Sequence, residues 1–424
     1  MALTDIAADP RLIDTTAYDG NFVVAHVLTT YTGVSLNRDF SNLPKSIQYG
    51  DATRMRVAAQ SKDRAMRTFF RHYTGETVQD TARSRFLPQQ TARHLQALGH
   101  SLEEAHAQAA LIVASAGMQI DKANTERTRA IAYVPAQAPE RLAFLASEVW
   151  DETAEARVKM GQAIDGALAK RAKKSKSSAD TSGEDTDGEA EEPSGRKGPE
   201  TAGIEAPKLP QRIVGRAAAA FAPGTVAELA IFGRMLAEVP EGTVYSAAQV
   251  AHAFSVDPLA MISDDWTVKD DWQDLGVFGA AGKGTTYLAS GTLYQYAALD
   301  RRALRRTLSK SATPAEAEDL ARLAEQLFVT ALAYATPSSA RSRTGSAAAP
   351  TLTIAAATDY PLTAAACFES AIEAPAAVTA AQRLTTYLRR AQRHTPLRGG
   401  ICRWLPPADE DCPALPPVLA CEDD

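Results

Sequence analysis

The chain has 424 residues, 45% of them hydrophobic and 23% charged, which is enough apolar material for two or three ordinary cores and excludes a wholly disordered chain. No run of 18 or more apolar residues occurs, and the opening MALTDIAADPRL lacks the basic and apolar regions of a signal peptide, so a cytoplasmic location is expected. The net charge of −6 argues against a polyanionic partner only until its distribution is read: residues 180–205 hold nine acids and two bases, residues 405–424 hold six acids and no base, and the rest of the chain carries +7.

Residues 21–31 (NFVVAHVLTTY) are β-branched between polar turns and predict a buried strand, with a second at 54–59. From Ser61 the period changes: Ala65, Met66, Phe69, Phe70 and Tyr73 share one face of a helix whose other face carries Arg64, Arg67 and Arg71. Residues 75–168 have helical periodicity broken by Gly, Pro and Asn, as an inserted lobe would. Residues 170–210, rich in Ser, Gly, Pro and charge, predict a disordered insertion. Its basic start reads either as a nucleic-acid contact or as a solvated surface loop. Strands follow at 226–232, 285–297 and 351–356, and helices at 246–254, 301–309, 314–335, 362–373 and 376–393, before a Pro-rich acidic tail. Strands and helices mix without regular alternation, so an α+β sandwich interrupted by insertions is favoured over a doubly wound sheet. No internal repeat is visible.

The chemistry concentrates between Leu36 and Arg71, where Arg38, Lys45, Arg54, Arg56, Lys62, Arg64, Arg67 and Arg71 face only Asp39, Asp51 and Asp63. LNRD (36–39) and RMRVAAQSKDRAMR (54–67) join a loop, a strand and a helix start into one basic unit. Backbone N–H groups at that helix start, beside Gln60 and Ser61, suit a phosphate. Lys62 and Arg64 add charge in the first turn, and Arg38 and Lys45 sit on the loop before the strand, in position for phosphate contacts in series. A charged, solvated helix face is the competing reading.

Other signals fail. In GAAGKGTT (279–286), Gly284 follows the lysine where a phosphate loop needs Ser or Thr, and Val277 stands where its first glycine belongs. The seven histidines (26, 72, 94, 100, 106, 252, 394) lack metal spacing, and His26 and His252 lie in apolar runs, so core or hydrogen-bonding roles are expected. Cys367, Cys402, Cys412 and Cys421 favour neither a zinc site nor a disulfide framework. Asp264, Asp265, Asp270 and Asp271 form carboxylate pairs that suit a divalent ion or the solvent side of a hairpin. No nucleophile motif is present, and neither a cofactor nor a metal is expected.

Residues 25–67 closely resemble the opening of the type I-E CasC family, the backbone subunit of the Cascade surveillance complex, in their His-Val-Leu run, Leu-Asn-Arg-Asp and Gln-Ser helix start. LAIFGRMLAE (229–238) with AAQVAHAF (247–254), and DDWTVKDDWQDL (264–275) with ASGTLYQYA (289–297), match two further blocks in the family's order. The helical lobe and the C-terminal region match only loosely. The resemblance implies a modified RRM-like (ferredoxin-like) palm with an inserted helical finger domain and a β-hairpin thumb. The implied palm covers 18–74, 226–256 and 285–404, the finger 75–225, the thumb 257–284 and the acidic tail 405–424.

The implied activity is not catalytic. Copies would stack head to tail along a CRISPR RNA, each thumb displacing one base at regular intervals and leaving the others to pair with target DNA. Implied partners are the guide endonuclease, cap, large and small subunits of Cascade. Residue by residue, Arg38, Lys45, Gln60 and Arg64 match the family's guide contacts, Met235 and Trp266 its base-displacing pair, and Arg341 and Arg343 a further basic segment. The chain departs from the pattern at Ala58, where serine is common, and at Asp63, where lysine is expected. Lys62 is one residue away, about 100° around the helix. The aromatic run of an ordinary RNA-recognition sheet is missing, in keeping with backbone binding. The rival reading is a related CRISPR subunit that cuts RNA with an aspartate in this loop, here Asp39; its neighbour Arg38 favours the non-cutting branch.

Overall fold

The computed structural model describes residues 9–74, 81–179, 203–222, 226–236, 239, 242–269, 282–310, 312–337, 339 and 341–405. It divides into two compact units, one of Met1–Val78, Ala230–Gly233 and Ser246–Asp424, the other of Gln79–Leu229 and Arg234–Tyr245. The chain begins with β1 (Phe22–Val34), the hairpin β2 (Ser46–Tyr49) and β3 (Ala52–Val57), and α1 (Ala59–Thr74). The second unit follows with β4 (Thr81–Ser84), α2 (Leu87–Ala97), α3 (Leu102–Ser115), β5 (Ile120–Asp121), β6 (Ala132–Pro135), α4 (Ala138–Glu148), α5 (Ala154–Ala179), β7 (Gly203–Ile204) and α6 (Gln211–Ala219). After α7 (Ala227–Phe232) come β8 (Ala248–Val250), β9 (Ala253–Ser255), β10 (Ala260–Val268), β11 (Gly282–Asp300), α8 (Arg301–Leu308), α9 (Pro314–Tyr334), α10 (Arg341–Thr344), β12 (Leu352–Thr358), α11 (Ala377–Ala391) and β13 (Leu397–Trp404).

The first unit is built on a nine-stranded sheet in the order β13-β12-β1-β11-β9-β3-β2, with β10 and β8 also pairing β11. Every pairing is antiparallel. Val24 and Leu28 of β1 pack with Ile354 and Ala356 of β12, Phe368, and Leu384 and Leu388 of α11. The pleat turns Val23, Ala25 and Val27 to the opposite face, and these too are fully buried. With α9 also against β1, the strand is covered on both sides, which is why its sequence reads as a continuous apolar run. Local chemistry sets the helix starts: Asp300 accepts from the N–H groups of Arg302 and Ala303 to open α8, and Thr313 with Glu316 forms a capping box ahead of α9, with Pro314 in its first turn.

The second unit is mostly helical. Its core centres on α3, whose Leu111, Ile112 and Val113 are all fully buried, as expected of a helix apolar around its circumference. Ser101 caps α3 at the Glu104 N–H. Buried Gln108 is satisfied by the Ala146 carbonyl at 3.0 Å and the Thr153 hydroxyl at 2.8 Å.

Several expectations change. Residues 226–232 form the end of a loop and a helix rather than a strand; a short apolar run is ambiguous, and Ala, Glu and Leu are good helix formers. The helix expected at 246–254 is replaced by β8 and β9, because pairing with β11 satisfies that backbone. Only a 3₁₀ turn, Ala365–Phe368, occupies the helix expected at 362–373. The predicted disordered insertion is helical through Ala179 and in strand β7 at Gly203–Ile204; its acidic middle, 180–202, lies outside the described residues, as does the tail from 406. Edge strands β2 and β13 were not expected.

Candidate nucleic-acid interface

Four segments of the first unit meet at the start of α1. Where β3 runs into the helix, the Ala58 N–H donates to Asn37 Oδ1 at 3.0 Å. The Asn37 carbonyl accepts from the Lys45 N–H at 2.8 Å, and the Lys45 carbonyl from the Arg56 N–H at 2.8 Å. The Ala59 N–H donates to His252 Nδ1 at 2.8 Å, so one of the helix's N-terminal donors is capped from the β8–β9 turn. Lys62 Nζ donates to the Ala335 carbonyl at 2.7 Å, tying the stretch after α9 to the same place.

The loop 36–45 is closed by Asp39. Its Oδ1 accepts from the N–H groups of Ser41 at 2.9 Å and Leu43 at 3.0 Å, its own N–H donates to the Leu43 carbonyl at 2.9 Å, and Asn42 takes a positive φ of 61°. The Asp39 carboxylate therefore has a loop-closing role. Phe40 stands fully exposed at the tip. Arg38, half-buried, donates from Nε to Ser339 Oγ at 3.2 Å. That bond brings the loop to the segment carrying Arg341 and Arg343.

Two sequence-predicted contacts are corrected. The Arg54 side chain has no exposed surface; its guanidinium donates to the carbonyls of Ser255, Val256, Phe368 and Glu369 and to Asp51. It is a strut between the β2–β3 hairpin and the 3₁₀ turn, not a phosphate ligand. Lys62 is 2% exposed, and burial pushes its ammonium down to about 7. Rotated away from the position the family pattern uses, it points into the protein. The others remain accessible: Gln60, Arg64 and Arg343 are exposed, and Arg38, Lys45, Arg56, Ser61 and Arg67 are half-buried. Arg67 lies by Asp63, whose carboxyl burial raises to about 6 against the opposing pull of that arginine. Arg341 shares the short turn α10 with Arg343. Asn37, His252 and Ser339 were not picked out as parts of this site, because each acts through a partner distant in sequence.

The Lys62 environment has a measurable consequence. A lysine whose folded value lies below 10.5 binds its proton more tightly when unfolded, so stability rises with pH across the interval from about 7 to 10.5. Denaturant midpoints of the wild type are expected to climb between pH 7 and 9.5, and Lys62→Met to remove that slope. Asp63 acts in another window: its folded value of about 6 is raised above 3.8, so the stability it contributes is lost as pH rises through about 6.

Trp266 sits on β10, opposite Gly284 of β11, and is 42% exposed. Met235, 79% exposed, falls in the segment grouped with the second unit. Residues 282–286 of the GAAGKGTT run are plain β-strand. Consecutive Asp264 and Asp265 point to opposite faces of β10, Asp265 accepting from the Thr285 hydroxyl at 2.7 Å, so they are not one ligand pair; Asp270 and Asp271 lie outside the described residues. His26 is a core histidine, fully buried, its Nδ1 2.9 Å from the Tyr294 hydroxyl and its imidazole pushed down to about 3 by desolvation. Among the described residues no cluster of three His, Cys, Asp or Glu is placed to hold a metal, and no helix is long and apolar enough to cross a membrane.

Comparison with known proteins bears on this geometry. A chain of a solved structure described as "CRISPR RNA-guided surveillance complex, pre-nicking" is 24% identical, with a TM-score of 0.73 over 95% of this chain and 96% of that chain. Another, described as "CRISPR RNA-guided surveillance complex", is 22% identical, with a TM-score of 0.63 over the same shares. These share the mixed α+β fold. No curated protein matches. The family model described as "CT1975-like protein" matches residues 23–400, and that span settles the relationship: the chain belongs to the CT1975-like protein family, the CasC-type backbone subunits of Cascade.

Proposed function

We propose that this chain is the guide-RNA-binding backbone subunit of a type I-E Cascade complex, polymerising head to tail along a CRISPR RNA in the bacterial cytoplasm and presenting it to target DNA. The observation that carries this reading is the convergence of Arg38, Lys45, Arg56, Gln60, Ser61 and Arg64 on the start of α1, with Arg343 brought near by the Arg38–Ser339 bond. Arg67 extends the basic face along the helix, and Arg341 joins Arg343 on its turn. Affinity in such a site comes from phosphate neutralisation.

The strand order β12-β1-β11-β9, with α1 between the first and second of these strands in the chain and α9 between the third and fourth, supports a ferredoxin-like, RRM-related palm. Here α11 covers one face of the sheet and α9 packs on the other, which leaves loops and a helix terminus, rather than sheet aromatics, to hold the RNA. The second unit is the natural finger and the β10–β11 hairpin the thumb, with Trp266 and Met235 acting on the displaced base. The guide endonuclease, cap, large and small subunits complete the assembly.

The test is to purify tagged protein from its native cells and sequence the bound RNA, beside an Arg38→Ala/Arg64→Ala variant. Uniform CRISPR RNAs that disappear in the variant are expected. Heterogeneous RNA that is equal in both proteins overturns the reading.

A further inference from the structure

The β10–β11 hairpin contains a glycine that its backbone does not require. Gly284 has no left-handed φ, and in an ordinary strand glycine is a poor choice, since it adds chain entropy and packs nothing. What excludes a side chain is Trp266. A Cβ built on Gly284 lies 2.5 Å from Trp266 Cζ2, 2.9 Å from Cε2 and 3.2 Å from Cη2, so the indole lies across the strand directly over the glycine. Two positions along the same strand, Gly282 provides an internal contrast: its Cβ would meet Val268 Cγ2 at an ordinary 3.9 Å. The same hairpin face carries Ile262 and Val268, 59% and 48% exposed, with Asp264 between Ile262 and the indole, so the ring lies on a solvent-open face of mixed apolar and acidic character.

We propose that Gly284 is the positioning residue for Trp266: it holds the indole flat against the hairpin so that the ring's free face is presented to an unstacked RNA base. This rests on the thumb reading above and adds to it what fixes the ring. A flat ring with one face packed and one face free stacks a base with little loss of rotamer freedom. A methyl group at 284 lifts the far edge of the indole and turns the ring off its seat, while β10 and β11 stay paired.

The experiment assembles the full complex on a guide RNA carrying 2-aminopurine at one position at a time. Wild type is expected to show a periodic set of positions whose fluorescence is quenched by stacking on the indole, and Trp266→Ala to lose that quenching. Gly284→Ala is expected to match Trp266→Ala, and Gly282→Ala to match wild type. Retention of the wild-type pattern by Gly284→Ala overturns the inference and leaves the thumb reading standing. An unchanged pattern in Trp266→Ala overturns both. Loss of quenching in Gly282→Ala as well assigns the effect to strand backbone rather than to the Gly284 seat, and also overturns the inference.

Discussion

Arg38→Ala combined with Arg64→Ala is expected to weaken binding of a CRISPR RNA by roughly 100-fold at physiological salt, and to make the plot of log affinity against log salt shallower by about 1.4. The two arginines approach the start of α1 from different segments, Arg38 from the closed loop and Arg64 from the exposed side of the first turns. In the proposed site each one would neutralise a phosphate and release a counterion, at about 0.7 of a unit of slope per contact for a single strand. The fold is expected to survive, since Arg64 is exposed and half-buried Arg38 gives up, among the described residues, a single long bond to Ser339. Titration of labelled RNA at several salt concentrations separates the cases: a weaker complex with an unchanged slope places these arginines off the phosphate path.

Arg54→Ala should behave in the opposite way, lowering stability by about 3–5 kcal/mol and Tm by roughly 10 °C. Its guanidinium satisfies the carbonyls of Ser255, Val256, Phe368 and Glu369, and Asp51, which also accepts from the Ala371 N–H, completes the joint. Gly50, at a φ of 59° with the Glu369 carbonyl where a Cβ would stand, shows how closely the hairpin turn approaches that segment. Alanine removes the shared donor that joins these carbonyls, leaving Val256 its bond from the Ile372 N–H but taking the guanidinium from the buried Ser255 and Phe368 carbonyls, and opens a cavity beside Phe368. RNA bound by the fraction that remains folded is expected to keep its wild-type salt slope. Thermal unfolding and the slope together distinguish a strut from a ligand: a reduced slope at unchanged Tm would return Arg54 to the RNA surface.

The basic unit between Leu36 and Arg71 was legible in the amino-acid order because charge density and period are local properties, and the same holds for β1, α1, β11, α8, α9, β12 and α11. Their signals are long apolar runs or sustained 3.6-residue periods. What failed were short, alanine-rich stretches. AAQVAHAF has no decisive period, and its strands β8 and β9 exist because the long β11 offers unpaired backbone beside them. A similar limit applied to individual side chains. Arg54 and Arg56 alternate along β3, and no local feature tells which of them is buried, because that depends on the 3₁₀ turn more than 300 residues later in the chain.

The sequence by itself determined an α+β chain, the concentration of basic residues between Leu36 and Arg71, the buried first strand and the family of the chain, since these follow from composition, periodicity and ordered local blocks. Tertiary structure alone decided which charges remain available. Arg54 and Lys62 are satisfied by distant carbonyls, Asp39 is engaged in closing its own loop, and Ser339 brings a remote basic turn to Arg38. The physical reason is that desolvation and hydrogen-bond satisfaction are set by whatever the rest of the chain places around a side chain, whereas charge and period belong to the side chains themselves.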